Sequence, residues 1–454
     1  MKFPAYPRTK PSGVEWLGDV PEHWEVKRSD KIVSADRTQL SPENFADLEV
    51  FHYSIPVVQE TGTGQVENGE SIASAKQVVK KPVVLVSKLN PRKATICLAK
   101  PQAILTLCST EFVALNADKC ELTFLEYLTR SELFRQGLDS KVQSVTRSHQ
   151  RANPADIYRF WNAWPLLEEQ RGIAAFLDRE TGRIDRLVLK KRELIMRLKE
   201  KRVALISGTV TRGMPAAAAR AAGLPVNPLL KASGHPWLDD IPRHWEVKRL
   251  KEVSVLFGRI GFRGYSTDDL VYEGEGAISL SPSNMAEGVV SLDKCTWLSW
   301  EKYHESPEIQ VQPGDVIMVK TGSTLGKTAF VESVPVPMTI NPQLMIFKEV
   351  KCSKRFLFYY AFSNVVQDVI PLHNTGSTIP TMTQEGIGKL PFPHPPLPEQ
   401  AAIAAYLDVE TAKLDELVVK VEEAVERLLE YRTALITAAV TGKIDVLITN
   451  ILDI

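Results

Sequence analysis

Cysteine is scarce in this chain. The five present, Cys97, Cys108, Cys120, Cys295 and Cys352, are odd in number and spaced neither as a disulfide framework nor as a zinc site, which predicts a reducing, cytoplasmic setting. Long apolar runs are also missing. None reaches the ~18–20 residues that cross a bilayer, and the opening Met1-Lys2-Phe3-Pro4-Ala5-Tyr6-Pro7 lacks the apolar stretch of a signal peptide. Net charge is zero, 55 basic against 55 acidic residues, which argues against a lone polyanion binder held by bulk charge. Local readout of base edges stays open, because it needs only a few well-placed donors and acceptors. Catalytic signatures are absent too: there is no Gly-x-Gly-x-x-Gly loop, no Gly-x-Ser-x-Gly elbow and no His-Glu-x-x-His. Pro393-His394-Pro395-Pro396 lacks the polar first residue and the final aromatic of an adenine methyltransferase motif. No catalytic, cofactor-binding or metal-binding residue is therefore expected.

What the chain does contain is a duplication. The segment Trp16-Leu17-Gly18-Asp19-Val20-Pro21-Glu22-His23-Trp24-Glu25-Val26-Lys27-Arg28 returns 221 residues later as Trp237-Leu238-Asp239-Asp240-Ile241-Pro242-Arg243-His244-Trp245-Glu246-Val247-Lys248-Arg249. Glu169-Gln170-Arg171-Gly172-Ile173-Ala174-Ala175-Phe176-Leu177-Asp178 returns at an offset of 230 as Glu399-Gln400-Ala401-Ala402-Ile403-Ala404-Ala405-Tyr406-Leu407-Asp408. The stretches between hardly resemble each other. A repeated frame holds two different inserts, with a pseudo-twofold relation between the halves. His23 and His244, each beside a tryptophan, read best as structural anchors, with the tryptophan buried and the histidine hydrogen-bonded.

Two stretches read as long helices of roughly 40 residues, about 60 Å at ~1.5 Å per residue. Ile184, Val188, Ile195, Leu198 and Leu205 form a heptad seam, with Lys191 and Arg202 in the same register. Leu414, Val418, Val421, Val425, Leu428 and Leu435, with Arg432, form its counterpart. Residues 166–213 carry twelve basic against seven acidic side chains, net +5, whereas residues 398–446 carry five against ten, net −5. Opposite charge favours pairing the two helices with each other, antiparallel if the halves are related by a twofold.

Residues 1–165 and 235–397 are mixed α+β stretches with strand-like runs such as Val83-Val84-Leu85-Val86 and Val316-Ile317-Met318-Val319, joined by a connector at 214–234 and followed by a tail at 447–454. Gly322-Ser323-Thr324-Leu325-Gly326-Lys327-Thr328 is one residue short of a phosphate loop and reads as a surface turn. It faces DNA through Lys320, Thr321, Ser323 and Lys327, or is a plain hairpin. Lys141, Gln143, Arg147, His149, Gln150 and Arg151 are further candidates for base reading, as are Arg259, Arg263 and Tyr265, and His373, Asn374, Ser377 and Thr378 in a second polar loop. Loops of this composition are also common as solvated turns.

The order of Gly376-Ser377-Thr378-Ile379-Pro380, Pro396-Leu397-Pro398-Glu399-Gln400 and Thr433-Ala434-Leu435-Ile436-Thr437-Ala438-Ala439-Val440-Thr441-Gly442-Lys443, with the duplicated tryptophan segments, resembles the specificity subunit of a Type I restriction-modification enzyme over nearly the whole chain. The resemblance implies two target recognition domains separated by two long antiparallel coiled-coil helices. It implies double-stranded DNA as ligand, read as a bipartite asymmetric target. It also implies two modification (methyltransferase) subunits and restriction/motor subunits as partners, which would hold the S-adenosylmethionine, ATP and Mg2+. A helical adaptor, or the recognition subunit of a related defence system, is the alternative. The first half departs from the family pattern, with Thr146-Arg147-Ser148-His149 in place of the Gly-Ser-Thr-Ile-Pro loop.

Overall fold

The computed structural model describes residues 3–36, 38–90, 93, 95–140, 151–259, 264–376 and 379–447. The chain folds as two compact units that do not follow chain order: residues 1–192 with 422–454, and residues 193–421. Each unit holds one mixed half together with a length of both long helices, which run Leu167–Arg212 (46 residues) and Leu397–Val440 (44 residues). The second helix ends six residues before position 446, because Gly442 turns into the left-handed region at φ +69°. A side chain there would also press on Pro21, whose Cδ stands 2.3 Å from the Cβ position. Gly213, at φ +84°, ends the first helix in the same way, its N–H bonded to the Thr209 carbonyl. A six-residue helix, Ala216–Ala221, forms within the connector.

In the first unit, Ile184 and Val188 share a core with Val425, Leu435 and Ile436, backed by Trp24, Phe124, Phe160 and Trp164. The two helix lengths run antiparallel. Asp185 meets Arg432 in a two-pronged ion pair, Oδ1–Nε 2.9 Å and Oδ2–Nη2 3.2 Å, while Gly172, near the start of one helix, lies against Leu447, beyond the end of the other. In the second unit, Arg202 pairs with Asp415 at 2.9 Å, and Ile206 and Val210 share a core with Ile403 and Leu407. Ile195, Leu198, Leu205, Val418, Val421 and Leu428 are half-buried, and Leu414 is buried.

Apart from these two cross-helix pairs, several charged groups of the long helices pair along their own helix. Arg197–Glu193, Lys413–Glu410, Lys420–Glu416 and Arg427–Glu423 pair within their own helices. Exposed pairs of that kind contribute ~0–1 kcal/mol, whereas each buried Val, Leu or Ile contributes ~1.5–3 kcal/mol. The apolar stripe therefore dominates helix pairing, and charge acts locally.

The duplicated dipeptides Glu169-Gln170 and Glu399-Gln400 tie each mixed half to its helix. Gln170 Nε2 donates to the Pro165 carbonyl at 2.9 Å, and its Oε1 accepts from the Glu121 N–H at 2.7 Å. Gln400 repeats both bonds with Pro395 and Ser353, each at 2.8 Å. Glu169 accepts from Tyr6, Trp24 and His23, and Glu399 contacts His244 Nε2 at 2.9 Å. Trp24 and Trp245 are fully buried. The segment after each tryptophan is a strand, Glu25–Arg28 or Glu246–Arg249, and each pairs with a different-looking partner, Trp161–Trp164 or the proline-bearing Pro391–His394. Prolines fit there because a two-stranded ribbon leaves one edge without ladder bonds.

Two sheets build each mixed half. In the first, four strands run in the spatial order Ile96–Ala99, Val83–Ser87, Phe112–Asn116, Ser34–Asp36, and five more in the order Gln39–Leu40, Lys76–Val78, Thr106–Ser109, Glu49–Tyr53, Gln65–Asn68. The second half has a six-stranded and a four-stranded sheet, with Val316–Val319 central in the larger. Each half then sends a helix, Leu122–Arg130 or Lys354–Phe362, against the long helix of its unit. Tyr127 donates to Asp178 at 2.8 Å and lies 3.0 Å from Thr181. Tyr359 donates to Asp408 at 2.6 Å beside Thr411.

Two predictions follow from these ties. Gln170→Ala and Gln400→Ala each strand a backbone N–H and a carbonyl, and each is expected to destabilise its unit by roughly 2–3 kcal/mol, read as a drop in the apparent urea midpoint. Burial first, and then the Asp178 and Asp408 carboxylates, push Tyr127 and Tyr359 up to about 12. A raised acid contributes stability that is complete below the ordinary tyrosine value and is lost as pH climbs through about 12. The Tyr127→Phe and Tyr359→Phe variants are expected to flatten that alkaline loss in a circular-dichroism titration.

Candidate nucleic-acid interface

Both halves build the same clasp at the end of a central strand. In the second half, Val316–Val319 ends at Lys320, whose N–H bonds to the Gln343 carbonyl and whose carbonyl accepts from the Met382 N–H. Thr321 bridges Thr381, and the Gly322 N–H bonds to the Pro380 carbonyl at 2.8 Å. In the first half, Val83–Ser87 ends at Lys88, whose carbonyl accepts from the Ala152 N–H, and Leu89 bridges Arg151. Lys88 and Lys320 are thus equivalent, and so are the strand ends at Arg151 and Thr381.

The clasp joins two candidates that were separate in the sequence. Residues 320–323 and the loop at 373–381 become one surface. Asn374 Oδ1 accepts from the Gly376 and Thr381 N–H groups at 2.9 and 2.8 Å and so closes the loop from inside. A Cβ on Gly376 would stand 1.9 Å from the Ile379 carbonyl oxygen, so the loop admits only glycine there. His373 is exposed, with its ring 5.6 Å from that of Trp237, and Ser323 is exposed at the tip of the neighbouring turn. That turn links Val316–Val319 to Thr328–Phe330 as a hairpin, with Val319 bonded to Lys327 across it. A phosphate loop needs a helix after the turn, and none follows.

Charge differs sharply between the two clasps. Lys320 is half-buried, its Nζ lying over Gly258, and burial pushes its ammonium below the usual lysine range. It makes no ion pair among the described residues. Burial lowers Lys88 as well, but Glu111 stands 3.9 Å from its Nζ and also holds the Arg151 guanidinium. The first clasp is therefore neutralised from within. The second keeps a partly desolvated cation over Gly258, beside the strand end that carries the polar loop.

Other sequence candidates take different places. Arg259 is 3% exposed, its guanidinium bonded to the Ile340 carbonyl and Thr339 Oγ1 and set over the Tyr265 ring. That correction has a simple cause: the residue ends the strand Val255–Gly258 pointing into the half's own interior. Tyr265 accepts from Ser279, and Lys327 donates to the Pro282 carbonyl. Lys141, Gln143, Arg147, His149, Gln150, Arg263, Ser377 and Thr378 lie outside the described residues. Among the described residues no group of His, Cys, Asp and Glu could hold a metal ion, and no helix is long and apolar enough to cross a membrane. Burial pushes Cys97, Cys120 and Cys352 up to about 12, which makes them poor nucleophiles. Sequence reading missed Tyr127, Tyr359 and Glu111. The tyrosines had a faint signal, Phe-Leu-x-Tyr at an offset of 232 residues, whereas Glu111 had none.

Residues 242–427 match the family model for the Type I restriction modification DNA specificity domain. The chain is 23% identical over 448 residues, 95% of its length and 96% of the relative's, to a Methanocaldococcus jannaschii protein named as the specificity subunit of the type I restriction enzyme MjaX. The chain thus carries a Type I specificity domain in its second half and is similar to a Type I specificity subunit over nearly its whole length. Its fold agrees. A chain from a structural study of complex assembly and conformational transition in the type I R-M system superposes with a TM-score of 0.69 at 20% identity, over 94% of this chain and 99% of that one. The HsdS subunit of Thermoanaerobacter tengcongensis does so at 0.51 and 19%, over 94% and 98%. The specificity-domain match contains the whole second clasp, which makes Lys320 informative: an unpaired, half-desolvated ammonium costs stability where it stands. Lys320→Met is expected to stabilise its unit by about 0.5–1 kcal/mol, read as a higher apparent urea midpoint, a gain that a purely structural lysine would not show.

Proposed function

We propose that this chain reads a bipartite, asymmetric double-stranded DNA target, one half-site through each mixed half. The proposal extends to docking two adenine-N6 modification subunits and, through them, the restriction/motor subunits. The observation that carries it is the paired clasp. One scaffold presents two loops of different chemistry, cationic around Lys320 and self-neutralised around Glu111, so the two halves favour different base edges. Thr321, Ser323, His373 and Asn374 stand beside Lys320 as short donors and acceptors, with Ser377 and Thr378 on the same loop in sequence. The chain supplies position and no chemistry. Methyl transfer and DNA translocation, with S-adenosylmethionine, ATP and Mg2+, belong to the partners.

In this reading the paired helices act as a ruler, since two linked readers bind cooperatively only when their separation matches the target. Adding one heptad to each long helix at matched seam positions is expected to lengthen the unread spacer while leaving both half-sites unchanged. Mapping methylated adenines in DNA exposed to the assembled enzyme checks this, and an unchanged spacer defeats the ruler. Lys320→Met is expected to weaken binding about tenfold, with little change at the half-site read by the other clasp.

A further inference from the structure

The two clasps also match at the neighbouring strand. The Lys88 N–H bonds to the Glu111 carbonyl at 2.9 Å and the Lys320 N–H to the Gln343 carbonyl at 2.8 Å, just before the strands Phe112–Asn116 and Leu344–Lys348. The turn leading into each residue is closed in the same way. Ser109 Oγ accepts from the Glu111 N–H at 3.2 Å, and Asn341 Oδ1 accepts from the Gln343 N–H at 3.0 Å. Glu111 and Gln343 therefore occupy one place on one scaffold, and they differ in what their side chains are free to do.

Glu111 is engaged within its own half. It is half-buried, holds the Arg151 guanidinium through Oε1 and stands 3.9 Å from Lys88 Nζ. The second half has Thr381 where the first has Arg151, and the Thr381 hydroxyl donates to the Ile379 carbonyl at 3.1 Å. Gln343 is exposed, and its Nε2 makes no hydrogen bond among the described residues.

The Gln343 carboxamide is nonetheless held in one orientation. A backbone N–H can only donate, so the Asn341 atom that meets the Gln343 N–H is the oxygen, which turns Asn341 Nδ2 toward Gln343 Oε1 at 3.2 Å. Asn341 is itself 7% exposed. Gln343 Oε1 keeps one lone pair open, and Nε2 lies 3.5 Å from the place a Cβ on Gly322 would take, beside Thr321 and Ser323. A solvated glutamine needs no such support. A base reader gains from it, because a side chain ordered beforehand loses less entropy on binding.

We propose that Gln343 is a specificity-determining residue of the second clasp and reads an adenine in its half-site. Adenine offers an N6 amino donor and an N7 acceptor side by side in the major groove, and the open lone pair of Oε1 and the Nε2 hydrogens meet them as a pair. Guanine offers two acceptors there and leaves the Gln343 oxygen unanswered. Asn341 is the positioning residue. The inference rests on the DNA-reading function above and adds to it which base one side chain selects.

The test uses the full chain assembled with its modification subunits, and random duplexes from which the unaltered assembly selects its target. Q343E replaces the Nε2 donor by an acceptor, and a carboxylate accepts from cytosine N4, so one adenine of one half-site is expected to give way to cytosine while the other half-site stays as it was. Affinity of the variant for the original duplex is expected to fall about tenfold, within the roughly five- to hundredfold worth of one bidentate base contact. N341S gives the second turn the residue of the first, which keeps the turn bond and removes the hold on Gln343. It is expected to blunt the preference at that same position, an effect that a merely structural role would not confine to one base. Replacing that adenine by 7-deazaadenine, which lacks the N7 acceptor, is expected to weaken the unaltered assembly and leave Q343A unaffected. Circular dichroism verifies the fold of each variant. Selection of the original target by Q343E overturns the inference, as does a change confined to positions that hold no adenine. If the unaltered assembly selects no duplex at all, the DNA-reading function itself has failed, and this inference with it.

Discussion

The apolar stripe shared by the two long helices is the constraint on which the rest of the molecule depends. A helix of 46 residues with one greasy edge has no stable existence alone, and neither mixed half has an independent reason to place its clasp at a given distance from a helix. Packing solves both problems at once. Within each unit the stripe is covered by the other helix and by the short helix of the mixed half, so core formation and positioning are one event.

Around that seam, a small set of polar groups sets orientation. Gln170 and Gln400 each bridge the proline before the helix and the backbone of the mixed half. The two tyrosines reach an aspartate eight residues, about two turns, further along. Buried bonds of this kind add modestly to stability but are costly to leave unmade, so they choose one arrangement among many that would bury similar area. The Arg202–Asp415 and Arg432–Asp185 pairs act similarly along the seam, where an arginine in a heptad core position must find a carboxylate.

Function is left to what the frame does not dictate. The clasp recurs in both halves with the same backbone bonds, yet Lys320 has no ion pair among the described residues while Lys88 is answered by Glu111. Repetition supplies geometry, and departure from repetition supplies discrimination.

The sequence by itself determined the duplication, the two long helices, the seam residues and the anchoring role of the histidine–tryptophan pairs, because these depend on periodicity and on local spacing that a linear reading preserves. It also showed the polar loops, but not their value as ligands. Only the tertiary structure brought residues 320–323 to the loop at 373–381, buried Arg259 among backbone acceptors and set Glu111 against Arg151. Those outcomes depend on which strands become neighbours in a sheet. The net charges of the helices suggested that they pair, and Arg202–Asp415 and Arg432–Asp185 do join them, whereas Arg197, Lys413, Lys420 and Arg427 find carboxylates on their own helices. The reason is physical: neighbours at i+4 meet at almost no entropic cost, and an exposed bond across the seam adds little to what burial has already secured.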